Sequence, residues 1–184
     1  MNGTIIVIAL VVLLALIGLA QYNGLIRKKV NVDEAFAQIE VQLQRRNDLI
    51  PNLVETVKGY ASHEQETFDK VVKARALATS AQGVTDVAAA DGALTQALRG
   101  LLAVAESYPD LKASANFLSL QEELSTTENK VGFSRQYYND SVRTLNTAIE
   151  VIPGKFFAGM AGATRRDFYE VSDPGNREVP KVQF

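Results

Sequence analysis

Thr4-Ile5-Ile6-Val7-Ile8-Ala9-Leu10-Val11-Val12-Leu13-Leu14-Ala15-Leu16-Ile17-Gly18-Leu19-Ala20 holds one polar side chain, Thr4, and the first charge of the 184-residue chain comes only at Arg27. Apolar residues fall on every face of such a helix, so no orientation would let it lie half in water. From Thr4 to Tyr22 a helix is about 28 Å long, close to the roughly 30 Å hydrocarbon layer of a bilayer. The stretch therefore reads as a membrane anchor over residues 1–26. A cleaved secretory signal would carry a basic leading region, which Met1-Asn2-Gly3 lacks. Tyr22 stands where an interfacial aromatic would, and Arg27-Lys28-Lys29 follow it. The positive-inside bias then predicts the N-terminus outside and the body of the protein in the cytoplasm.

Beyond the anchor the chain is nearly charge-balanced, with 19 Lys and Arg against 21 Asp and Glu. That composition is not that of a nucleic-acid binder. There is no Cys, which excludes disulfides and thiolate metal sites, and His63 is the single histidine. A di-metal carboxylate bundle needs Glu-x-x-His on two helices, and a Ser–His nucleophile would have to use the same His63. No glycine-rich phosphate loop appears either. The expectation is a protein with no cofactor, no metal and no enzymatic activity.

Helical periodicity organises the rest. Val32, Phe36, Ile39, Leu43, then Leu49 or Ile50, Leu53, Val57 and Tyr60 form one stripe, which predicts a first soluble helix running from the bilayer to about Lys58. Pro51 lies inside it, lacks an amide donor and crowds the carbonyl of Asn47, so a kink or a break is expected there. Ser62 with Gln65 reads as a capping box for a second helix that carries Phe68, Val71 or Val72, Arg75 and Ala78 and ends at Gly83. Thr85 or Asp86 caps a third, with Val87, Leu94, Leu98, Leu101, Ala105 and Tyr108, stopped by Pro109. A fourth runs from Leu111 to Ile152 on Phe117, Leu120, Leu124, Val131, Tyr138, Val142, Leu145, Ile149 and Ile152. The fold class predicted is all-α: a single transmembrane helix followed by an elongated up-and-down four-helix bundle over 27–152, with long first and fourth helices. Residues 153–184 form a tail. Its apolar, small-residue stretch from Lys155 to Ala163 is too short to span a bilayer and reads first as covering the end of the bundle, with a neighbouring subunit or the membrane interface as the alternatives; Asp173-Pro174-Gly175-Asn176 reads as a turn and 177–184 as an extended terminus.

The polar interruption Arg45-Arg46-Asn47-Asp48 falls within the first stripe just before Pro51, with Glu55 and Tyr60 beyond it. Glu122, Glu123, Asn129, Tyr138 and Asp140 lie on the fourth helix. Arg45 or Arg46 facing a fourth-helix acid would make an ion pair in or beside the core, setting helix register. These residues are the candidates for structural or partner contacts.

Gln42-Leu43-Gln44-Arg45-Arg46-Asn47-Asp48-Leu49-Ile50-Pro51-Asn52-Leu53-Val54-Glu55-Thr56-Val57-Lys58-Gly59-Tyr60 resembles the LemA family of bacterial membrane proteins. Leu101 to Lys112, Asn116 to Leu124, Thr127-Glu128-Asn129, Tyr138-Asn139-Asp140 and Asn146 agree in the same order. Asn47 departs from the aromatic residue expected in many relatives. The resemblance implies a single-pass inner-membrane protein with a cytoplasmic helical body and no established catalysis or cofactor. It also implies suggested links to membrane stress, the cell envelope and magnetosome formation. Two functions remain open: a membrane-tethered scaffold that assembles as a homo-oligomer, since copies confined to two dimensions gain effective concentration, or a binding module that recruits a protease or another envelope protein.

Overall fold

Six helices account for the order of the chain in a computed structural model that describes residues 2–170. They are α1 (Asn2–Lys58), α2 (Gln65–Ser80), α3 (Gly83–Glu106), α4 (Pro109–Lys112), α5 (Ala115–Glu150) and α6 (Gly154–Ala158). No strand occurs among the described residues. The turn at 173–176 and the extended terminus at 177–184 lie outside them.

The apolar stretch and the first soluble stripe are one helix. α1 continues through Pro51 without a break and stops at Lys58, one residue before Gly59. The proline leaves the carbonyl of Asn47 without its usual amide donor four residues on. Arg75, on α2, fills the place: its Nε donates to the Asn47 carbonyl oxygen at 3.0 Å. An arginine in an apolar stripe thus has a local reason, because a partly buried backbone oxygen needs a partner. Replacing Arg75 with leucine is expected to destabilise the fold by about 1–3 kcal/mol, the usual cost of an orphaned acceptor. Adding Pro51→Ala, which returns the amide, should recover part of that loss. Urea unfolding of the single and double variants measures both, and equal losses with and without Pro51 would show that the bond is irrelevant.

Several boundaries differ from the sequence reading. Ser62 does not cap α2; the N-cap is Glu64, and Gln65 Nε2 donates instead to the Ser62 carbonyl at 3.2 Å. Gly83 does not end α2, which closes at Ala81; with φ of +78° it opens α3, a conformation that suits glycine. The Leu111–Ile152 run is two elements. Pro109 starts the single turn α4, which drops Leu111 into the core, and the long helix begins afresh at Ala115.

The chain divides into two compact units. One comprises Met1–Gln38 and Ser134–Phe168; the other comprises Ile39–Phe133 and resumes at Tyr169. In the second, the apolar faces of four helices meet: Ile50, Leu53 and Val57 from α1, Phe68 and Val71 from α2, Leu94, Leu98 and Leu101 from α3, and Phe117 and Leu124 from α5, with Leu111 between. The Lys58 ammonium lies over the Phe68 ring, 5.4 Å from its centroid.

In the first unit, Leu25, Val32 and Ala35 of α1 and Tyr138, Val142 and Leu145 of α5 are buried. The Tyr138 ring sits 5.7 Å from that of Phe36, tilted by 55°. Asn31 Nδ2 donates to Ser141 Oγ at 3.0 Å, and the Tyr137 hydroxyl donates to Asn31 Oδ1 at 2.8 Å. After α6 the chain returns along α5 and is fastened there. Asn146 binds the backbone of Arg166 twice, donating to its carbonyl and accepting from its amide, both at 2.9 Å. The Tyr138 hydroxyl donates to the Asp167 carbonyl at 2.9 Å, and burial pushes the Tyr138 phenol above its ordinary pKa. Arg166 also pairs with Asp33 at 2.8 Å.

Candidate functional site

Arg46 and Asp91 are the buried ions of the second unit, each 2% exposed. Arg46 sits in the core stripe of α1, three residues after Leu43 and four before Ile50, so the helix turns its guanidinium inward. Asp91 occupies the matching place on α3, four residues after Val87 and three before Leu94. Arg46 Nη1 donates to Asp91 Oδ1 at 2.8 Å and to Thr95 Oγ1 at 3.0 Å. The Tyr169 hydroxyl, from the returning chain, donates to Asp91 Oδ2 at 3.1 Å, so both carboxylate oxygens are engaged. Glu128 of α5 stands 4.0 Å from Arg46 Nη2 and is half-exposed.

Arg46 meets an acid of the long helix, as expected, and a second, closer one besides. The close partner of Arg46 is an acid on α3, while the acid on the long helix, Glu128, is the distant one. Arg45 is exposed and takes no part. Asp48 is exposed and accepts from Gln44 Nε2 at 2.8 Å, one turn back on the same helix. Pro51, Glu55, Tyr60, Glu122, Glu123 and Asn129 are all exposed, and Asp140 makes an exposed pair with Arg143 at 2.8 Å. Tyr138 is buried in the first unit, in the role described above. Asp91, Thr95 and Tyr169 were not singled out from the sequence. Asp91 had a signal, an acid filling the seven-residue gap between Val87 and Leu94; Tyr169 had none, because its position depends on where the chain doubles back.

A cavity of about 260 Å³ adjoins the cluster, lined by Arg46, Arg99, Gln121 and Glu128 together with Leu98 and Leu124. Arg46 Nε has no hydrogen-bond partner among the described residues. Polar groups also meet at a groove of about 400 Å³ formed by Asn52, Glu55, Thr56, Asn116 and Ser119. Among the described residues no three His, Asp or Glu side chains converge as metal ligands. A desolvated ion pair with a tyrosine on its far oxygen thus joins α1, α3 and the returning chain.

The family model for LemA matches residues 35–184, which include Arg46, Asp91, Tyr138, Asn146 and Tyr169. Magnetosome protein MamQ of Magnetospirillum gryphiswaldense is similar at 23% identity over 192 residues, covering 90% of this chain and 71% of its own length. Magnetosome protein MamQ 2 of Paramagnetospirillum magneticum matches with the same identity and coverage. Protein LemA of Metamycoplasma hominis is 25% identical over 161 residues, covering 87% of this chain and 71% of its own. This chain belongs to the LemA family.

Proposed function

We propose that this protein is a non-enzymatic, single-pass membrane scaffold that self-assembles at the bacterial inner membrane. Its N-terminus faces outward and its body, working as an up-and-down four-helix bundle, lies in the cytoplasm. The observation that carries the reading is the state of the apolar part of α1. From Ile5 to Ile17 every residue is exposed, and the same helix then enters the two cores of the body. Side chains of that kind need a hydrocarbon solvent, and one helix is long and apolar enough to cross it. Arg27-Lys28-Lys29 at its far end support the orientation.

Self-assembly is supported by tethering, since copies held in one plane turn weak lateral contacts into effective ones. Exposed apolar side chains on the body, Val41, Leu118 and Phe133 among them, offer such contacts. The relatives named for magnetosomes fit a role in organising membrane, and envelope-stress response is the other setting the family suggests. Chemical crosslinking in native membranes tests the reading. A ladder at multiples of the 20.0 kDa chain is expected. A single adduct with another envelope protein would favour the recruiting reading, to which the exposed Arg45, Asp48, Glu55 and Tyr60 are suited. A monomer throughout would overturn both.

A further inference from the structure

We infer that the turn between α5 and α6 is a second membrane contact, an apolar wedge that enters the same leaflet as the Tyr22 end of the anchor. The inference rests on the anchor reading and adds to it a lipid-facing surface elsewhere in the chain. Its basis is depth. The Phe157 ring lies 3.4 Å from where a Cβ at Gly18 would stand, so the ring packs on the bare backbone of α1 at that position. Gly18 lies four residues before Tyr22, about 6 Å along the helix and inside the apolar span. A wedge held at that level sits about where interfacial apolar faces settle, roughly 5–10 Å into the boundary between headgroups and acyl chains.

The side chains at the turn suit that solvent. Ile152, Phe156 and Met160 are 73%, 72% and 73% exposed, and nothing else in their unit covers them. From Val151 to Ala163 the one charge is Lys155, whose long stem can carry its ammonium to the headgroups. The segment then climbs out of the apolar zone: Gly162 approaches the ammonium of Lys29, in the cationic run that follows the anchor. Beyond it, Arg165 pairs with Glu150 and Arg166 with Asp33. Apolar residues thus lie beside the apolar part of α1 and charged residues beside its charged part, which selects acyl chains as the occupant over a second copy of the chain. The turn is set by Gly154, where a Cβ would collide with the Ala148 carbonyl oxygen, so the return is too tight for any other residue.

The test uses the full chain in phosphatidylcholine–phosphatidylglycerol vesicles. Native cysteine is absent, so Ile152→Cys, Phe156→Cys and Met160→Cys can each carry one environment-sensitive fluorophore. Leu13→Cys reports the anchor and Lys73→Cys reports water. Lipid-borne nitroxide is expected to quench the three turn probes several-fold more than the Lys73 probe, and iodide several-fold less. Turn probes quenched by iodide like Lys73, with Leu13 still quenched from the lipid, would overturn the wedge and leave the anchor standing. Leu13 open to iodide would overturn both. Turn probes shielded from both quenchers would place protein there instead of lipid and overturn the inference.

Discussion

Asp91→Leu is expected to destabilise the protein by about 3–5 kcal/mol, because it leaves the Arg46 guanidinium charged and buried with only the distant, half-exposed Glu128 as counter-ion. The pair itself is worth far less than that. Two desolvated charges recover little more than they lose on leaving water, so Arg46→Met combined with Asp91→Leu should return most of the stability lost by Asp91→Leu alone. Arg46→Met alone strands a carboxylate that still accepts from Tyr169, and its loss should fall near that of Asp91→Leu. Tyr169→Phe takes the hydroxyl from Asp91 Oδ2 while Arg46 keeps its bond to Oδ1, an expected loss of about 1–3 kcal/mol. Urea unfolding in detergent, followed by helical circular dichroism, gives all four values. If the double variant loses the sum of the two single ones, the charges do not act as a pair, and the register role expected of them is wrong.

How much of this was legible beforehand follows from which forces are local. The apolar run to Ala20 and the stripe from Val32 to Val57 are properties of consecutive residues, and they located α1 to within a residue at Lys58. Arg46 was visible as a charge in an apolar stripe, and so was the difficulty at Asn47 created by Pro51. Their partners were not, because Asp91 and Arg75 reach them from helices 45 and 28 residues away in sequence. Gly83 misled because glycine serves equally well after one helix and before the next, and a linker as short as the one between α2 and α3 does not distinguish the two. The run from Leu111 to Ile152 contains no proline, and what separates α4 from α5 is the burial of Leu111, a tertiary preference that overrides local helix propensity. From Lys155 to Ala163 an apolar sequence suits a bundle cover and a membrane face alike; Phe157 packs at Gly18 while Phe156 and Met160 are exposed, a split set by where the chain turns.

Two arginines in the anchor, Leu10→Arg with Leu14→Arg, are expected to move the protein from the membrane pellet to the soluble or aggregated fraction, while Leu13→Arg alone is not. The twelve Leu, Ile and Val side chains from Ile5 to Leu19 favour insertion by about 4–7 kcal/mol in total, at 0.3–0.6 each near the helix centre. One arginine costs about 2.5–3.5 kcal/mol there, which the remaining residues still cover. Two cost about 5–7, which they do not. The body should keep its helicity, because Leu10 and Leu14 are 57% and 58% exposed and belong to neither buried core. Carbonate extraction of membranes, with circular dichroism on whatever is released, reads both quantities. The contrast between one and two charges matters more than either result alone. A peripheral protein held at the surface by its body would stay with the membrane in both variants until carbonate stripped it, and the wild-type chain would be stripped with them. A chain held by lipid contact along a single helix should fail only when the second charge is added.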